Sequence, residues 1–207
     1  MFVLAPASRS SHVLELIGGM VFSLLLLAGL LTMTRHRIFQ VIAGFFVICT
    51  IIVRLSRSVF GVAGLLSVDF ILSIVSFVAM LVVVLWQVYR EGPVTSHRIR
   101  GAIAAYLLLA IIFSYCYTLI AYFVPGAFQL PAWVSPAGPE RAEAFLYFSM
   151  ISLTTAGFGD ITPIHPIARS LVTLETLIGQ LYPAILIARL VSLEIETRRA
   201  NKDGNGN

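Results

Sequence analysis

The run from Thr154 to Asp160, TTAGFGD, has the composition of a cation site built from the main chain. A cation without its water shell needs oxygen ligands, and a ring of main-chain carbonyls supplies them without adding net charge. Turning successive carbonyls toward one axis requires backbone angles that side chains resist and that glycine accepts. The Thr155 hydroxyl adds a further oxygen. We therefore expect the ion ligands to come from the following residues: Thr155, Ala156, Gly157, Phe158 and Gly159.

The whole chain has the composition of a membrane protein. Of its 207 residues, 58% are apolar and 12% are charged, and its mean hydropathy is +0.94, whereas a soluble domain has about 25% charged residues. Apolar blocks of about 18 residues or more are typical of membrane-spanning helices. The chain is therefore predicted to be an all-α membrane protein with about five transmembrane helices, at 13–33, 38–53, 67–89, 99–124 and 166–193.

A shorter apolar segment lies between the last two blocks. Pro139 and Glu140 are typical of a helix start, and a helix over 142–154 would be about 20 Å long, less than the ~30 Å bilayer core. We predict a re-entrant helix, which the membrane tolerates where its continuation is buried in protein or lines a water-filled path. The partial negative charge at its C-terminus favours a cation there.

The hexapeptide Thr155-Ala156-Gly157-Phe158-Gly159-Asp160 resembles the potassium-channel signature, commonly written TVGYGD. Residues 97–195 resemble the two-helix pore module of bacterial potassium channels, in the ion-channel superfamily, with an outer helix, a pore helix, a filter and an inner helix. The resemblance implies a homotetramer, and a closed ring around one axis requires several copies as well. It also implies K⁺ sites at Thr155, Ala156, Gly157 and Phe158.

The sequence departs from the family pattern at two positions of the hexapeptide and at one position before it. Ala156 stands where Val or Ile is usual, and its smaller side chain would weaken discrimination between K⁺ and Na⁺. Phe158 replaces Tyr and loses only a hydroxyl, so we expect its ring to wedge against the surrounding pore helices. Some family members have a carboxylate that pairs with the filter aspartate where Ile151 stands, and we expect Asp160 to lack that partner.

Other residues are predicted to support or gate the filter. Thr154 and Asp160 flank it, and Glu175 is expected to brace its back by hydrogen bonding, because a carboxylate within an apolar helix needs partners. Gly179 and Pro183 lie in the middle of the last block. They form a candidate gate hinge, and a static kink or a close packing contact is the alternative.

Positive residues predict the topology. Clusters of Arg and Lys at 35–37, 90–100 and 198–202 place the N-terminus outside and the C-terminus inside. The resemblance to bacterial channels implies a prokaryotic cytoplasmic membrane. Residues 1–96 would form three helices of unknown role, and 196–207 a disordered cytoplasmic tail. These clusters account for the net charge of +4 without a nucleic acid partner. Membrane lipid is the expected partner. The cysteines and histidines lack metal-ligand spacing, so no cofactor is expected beyond K⁺ as the permeant ion.

The predicted function is passive conduction of K⁺ through a tetrameric, potassium-selective channel that makes and breaks no bond and is not an enzyme. Two alternatives stay open. Ala156 favours a weakly selective cation channel. A non-conducting membrane sensor or regulatory subunit could also keep the pore fold. No long soluble domain follows the last block, so control through such a domain is not expected.

Overall fold

The computed structural model describes residues 65–89, 96–135, 138 and 140–204, together with the isolated helical residues 44, 48, 49, 52 and 53. The predicted helix over 13–33 and most of the one over 38–53 lie outside the described residues. The elements are α1 (Leu65–Tyr89), α2 (Ser96–Phe123), β1 (Phe128–Gln129), α3 (Glu140–Leu153), β2 (Thr162–Pro163) and α4 (Pro166–Gly204).

Three described helices are long and apolar enough to cross a membrane: Ser67–Tyr89, Arg98–Phe123 and Pro166–Leu193. They coincide with the last three apolar blocks of the sequence. The described part of the chain is mostly helical, as expected for an all-α membrane protein.

Helix α1 packs along α2 through aromatic and aliphatic side chains. The ring of Phe77 lies 5.3 Å from that of Tyr115. The C-terminal end of α1 also contacts α4, where the guanidinium of Arg189 lies 4.8 Å from the centre of the Tyr89 ring and donates a hydrogen bond to the Tyr89 carbonyl. A cation is favourable at this position because the C-terminus of a helix carries partial negative charge.

Helix α3 is short and lies between α2 and α4. Its 14 residues correspond to about 21 Å. Glu140 and Glu143 stand in its first turn, where negative charge is favourable. The buried side of α3 carries Phe145 and Phe148, which join Tyr117 of α2 and Phe128 of β1 in an aromatic cluster with ring-centre distances of 4.9 to 6.3 Å.

Two short strands join the chain before α3 to the chain after residue 160. β1 and β2 pair antiparallel, with Phe128 opposite Pro163. The amides of Ile164 and His165 both donate to the carbonyl of Ala127, at 2.8 and 3.1 Å. The all-α prediction did not include this pair, because two residues per strand are too few to give an alternating pattern. The pairing fixes one end of the segment that follows α3.

The final helix is longer than its apolar block. α4 continues to Gly204, so the structure differs from the disordered tail predicted for 196–207; residues 205–207 lie outside the described part. The added segment, 194–204, contains two Glu, two Arg, one Lys and one Ala, which have high helix propensity. A polar composition alone was therefore a poor guide to the end of this helix.

Candidate functional site

The C-terminus of α3 turns sharply into the segment 154–160. Thr155 has a φ of 60°, in the left-handed region that commonly ends a helix. The amides of Ala156 and Gly157 both donate to the carbonyl of Ile151, at 2.8 and 3.2 Å, and the Thr154 hydroxyl donates to the Met150 carbonyl at 2.7 Å. These bonds satisfy carbonyls that a helix end would otherwise leave without partners.

Positive φ angles alternate along the segment. They occur at Thr155 (60°), Gly157 (50°) and Gly159 (80°). All residues from 154 to 160 are exposed, and a Cβ atom added at either glycine would meet nothing within 4 Å. The sequence pointed to the two glycines, but it did not indicate Thr155, because a β-branched residue rarely adopts this conformation. The segment is thus an exposed stretch of chain with positive φ at every second residue.

The Phe158 ring is 71% exposed. The sequence predicted that this ring wedges against surrounding pore helices. No helix in the described part of the chain covers it, and the wedge stays a prediction.

Asp160 has a partner that the sequence did not indicate. Its Oδ1 accepts a hydrogen bond from the amide of Ile161 at 3.1 Å, and the hydroxyl of Tyr147 on α3 is hydrogen-bonded to its carboxylate. The expectation concerned a carboxylate at position 151, where a buried isoleucine stands, so Asp160 lacks that partner. Tyr147, one turn earlier on α3, is the partner that Asp160 has on this helix.

Glu175 of α4 is completely buried and connects three helices. Its carboxylate accepts hydrogen bonds from the hydroxyls of Tyr117 on α2 and Ser149 on α3. The Ser149 hydroxyl also lies 2.7 Å from the carbonyl of Ala110. A buried carboxylate requires such partners, since an unpaired polar group in apolar surroundings is costly. The sequence singled out Glu175 but missed Tyr117 and Ser149, because their distance along the chain leaves no local signal.

Gly179 is a point of close contact between α4 and the end of α3. A Cβ atom added there would lie 1.9 Å from the carbonyl oxygen of Leu153. Of the two roles that the sequence left open, the structure shows the packing contact. Pro183 also lies within α4 and has no N–H to donate to the carbonyl of Gly179, four residues earlier. A hinge role for these two residues stays a prediction.

Gln180, next to Gly179, reaches the candidate ion ligands. Its Nε2 donates to the Thr155 hydroxyl oxygen at 3.2 Å. From the other side, the Tyr106 hydroxyl of α2 donates to the carbonyl of Leu153 at 3.0 Å. Neither Gln180 nor Tyr106 was singled out by the sequence, since an isolated Gln or Tyr in an apolar block has no distinctive pattern. Both α2 and α4 therefore hold the turn at the end of α3.

Comparison with known proteins gives one family. Residues 102–196 match a family model described as an ion channel. The match begins within α2 and includes α3, the segment 154–160 and most of α4. No curated protein and no solved structure matched the chain. The match supports an ion-channel pore module in residues 102–196 of a membrane protein.

Proposed function

We propose that this chain forms a potassium-selective channel of the bacterial type, in which residues Thr155 to Gly159 of four copies line one filter. The observation that carries the proposal is the alternation of positive φ at Thr155, Gly157 and Gly159. Alternating the sign of φ turns successive peptide groups back toward one side, as a stack of carbonyl rings requires. The family match supports an ion channel, and this alternation supports the choice of a dehydrated cation.

Exposure of the segment supports several copies around one pore. In the described part of one chain, residues 154–160 are exposed, and Phe158 is 71% exposed. A ring of identical chains would cover these groups and place the carbonyls around a common axis. At about 21 Å, α3 is too short for the ~30 Å bilayer core, which supports a re-entrant pore helix.

The proposed mechanism is passive. K⁺ exchanges its water for main-chain carbonyls and the Thr155 hydroxyl, and neighbouring ions displace one another along the filter. The C-terminus of α3 carries partial negative charge and favours the cation. Glu175 braces the filter from behind through Ser149. Pro183 and Gly179 lie where the inner helix would bend during gating. The C-terminus would lie inside a prokaryotic cytoplasmic membrane.

Ala156 favours a second candidate, a weakly selective cation channel. Its side chain is small and exposed. The filter wall behind it would be thinner than with a branched residue, and looser carbonyls would discriminate less between K⁺ and Na⁺.

The test measures K⁺ and Na⁺ flux from liposomes that contain the purified chain. We expect K⁺ flux well above Na⁺ flux, and loss of K⁺ flux in Gly157→Asp, because a carboxylate side chain at a positive-φ glycine disrupts the carbonyl ring. Gly126→Asp is the matched control. Gly126 also has a positive φ, of 81°, and nothing within 4 Å of an added Cβ atom, but it lies in the turn before β1.

The outcomes separate the candidates. Equal K⁺ and Na⁺ flux would establish the weakly selective channel instead. Absence of flux at every tested potential would favour the non-conducting sensor or regulatory subunit. Equal losses in Gly157→Asp and Gly126→Asp would show that the substitution acts through folding and not through the filter.

A further inference from the structure

A side-chain contact joins α4 to the first candidate ion ligand. The amide nitrogen of Gln180 lies 3.2 Å from the Thr155 hydroxyl oxygen and donates to it. Gln180 is exposed, so its side chain is not held there by burial. The hydrogen bond to Thr155 is the contact that the structure gives its amide group.

The position of Gln180 follows from Gly179. Because Gly179 has no side chain, the α4 backbone comes close to the end of α3. A Cβ atom added at Gly179 would lie 1.9 Å from the carbonyl oxygen of Leu153. Leu153 is the last residue of α3. The next residue of α4 is thereby brought within reach of the turn at Thr155, and a larger residue at position 179 would move Gln180 away.

Thr155 needs an external contact to fix its hydroxyl. Its neighbour Thr154 donates to the Met150 carbonyl at 2.7 Å, as a threonine in a helix commonly does. Thr155 has left the helix, with a φ of 60°. A threonine hydroxyl has one hydrogen and two lone pairs. Gln180 uses one lone pair, which leaves the other available to a cation.

We propose that Gln180 is a selectivity-determining residue that positions the Thr155 hydroxyl at the inner end of the filter, an inference that rests on the proposed channel function. Four Gln180 amides would set the spacing of four hydroxyl oxygens. The number and arrangement of such oxygens decide which cation replaces its water at lowest cost. Without the amide, each hydroxyl rotates freely and can approach the smaller Na⁺.

The experiment compares the K⁺/Na⁺ flux ratio in liposomes for the wild type, Gln180→Leu and Gln180→Asn. Leucine removes the amide and has a similar volume. Asparagine keeps the amide on a side chain that is one methylene shorter. We expect the ratio to fall about fivefold or more in both variants, because one neutral hydrogen bond corresponds to about fivefold and a ring of four chains loses four of them. Gln129→Leu, at an exposed position of β1, is the matched control and should leave the ratio unchanged.

A second comparison tests whether Gln180 acts through the hydroxyl. In a Thr155→Val background, Gln180→Leu should change the ratio no further, because the group that it positions is already absent. An unchanged ratio in Gln180→Leu, with a selective wild type, would overturn this inference and leave the proposed channel intact. A fivefold fall that persists in Thr155→Val would overturn it as well. A wild type without K⁺-selective flux would overturn the proposed function together with this inference.

Discussion

Replacing Glu175 by leucine should destabilise the protein through a different residue, Tyr117. The substitution removes the acceptor of two buried hydroxyl groups, those of Tyr117 and Ser149. Ser149 keeps an acceptor, because the Ala110 carbonyl lies 2.7 Å from its hydroxyl. Tyr117 is completely buried, and its bond to Glu175 is the one that the structure describes for its hydroxyl. The cost therefore falls mainly on Tyr117.

The magnitude follows from the desolvation of one hydroxyl. A buried donor left without an acceptor costs about 1–3 kcal/mol. Glu175→Leu should lower the free energy of unfolding by about that amount. In the Glu175→Leu background, Tyr117→Phe should then be nearly neutral or stabilising, because it removes the hydroxyl that lost its partner. In the wild-type background the same Tyr117→Phe change should destabilise.

The assay is unfolding of the purified protein in mixed detergent micelles, followed by loss of helical signal, for both single variants and the double variant. Tyr122→Phe is the control, since Tyr122 is 40% exposed on the same helix and should change stability by less than about 0.5 kcal/mol. Equal destabilisation by Tyr117→Phe in both backgrounds would refute the reasoning, because additive effects mean that the two groups do not interact.

Two further predictions concern the ends of the segment 154–160. Gly179→Ala should lower the free energy of unfolding by about 1–3 kcal/mol in the same assay, because its Cβ atom would meet the main-chain oxygen of Leu153; unchanged stability would contradict the close contact. Tyr147→Phe should reduce the K⁺/Na⁺ flux ratio, and should reduce it no further in an Asp160→Ala background, because the acceptor of the Tyr147 hydroxyl is then already absent. Additive losses would show that the two side chains act separately.

Most ends of the long apolar helices could be predicted because they depend on one-dimensional information. The length of an apolar run and the charges at its ends indicate spans at 67–89 and 166–193. The corresponding helices run over Leu65–Tyr89 and Pro166–Gly204, so the C-terminal end of α4 is the one that differs by more than two residues. The short helix was predicted over 142–154 and is observed over Glu140–Leu153. Acidic residues and a proline mark its start, and the glycines that follow mark its end.

Contacts between distant residues could not be predicted. Glu175 was an evident candidate, since a carboxylate in an apolar helix is costly, but its partners lie on two other helices and are ordinary residues there. The close approach of Gly179 to Leu153 depends on how α4 packs against α3. The left-handed conformation of Thr155 is set by the helix end and opposes the preference of a β-branched residue.

The central claim is that the carbonyls of residues 155–159 select K⁺. The most direct measurement is the reversal potential of single-channel current in a planar bilayer, with K⁺ salt on one side and an equal concentration of Na⁺ salt on the other. The proposed filter predicts a K⁺ current toward the Na⁺ side at zero voltage. The current should then reverse at a potential that is negative on the K⁺ side. Reversal at zero voltage would mean equal permeability to both ions and would contradict the claim.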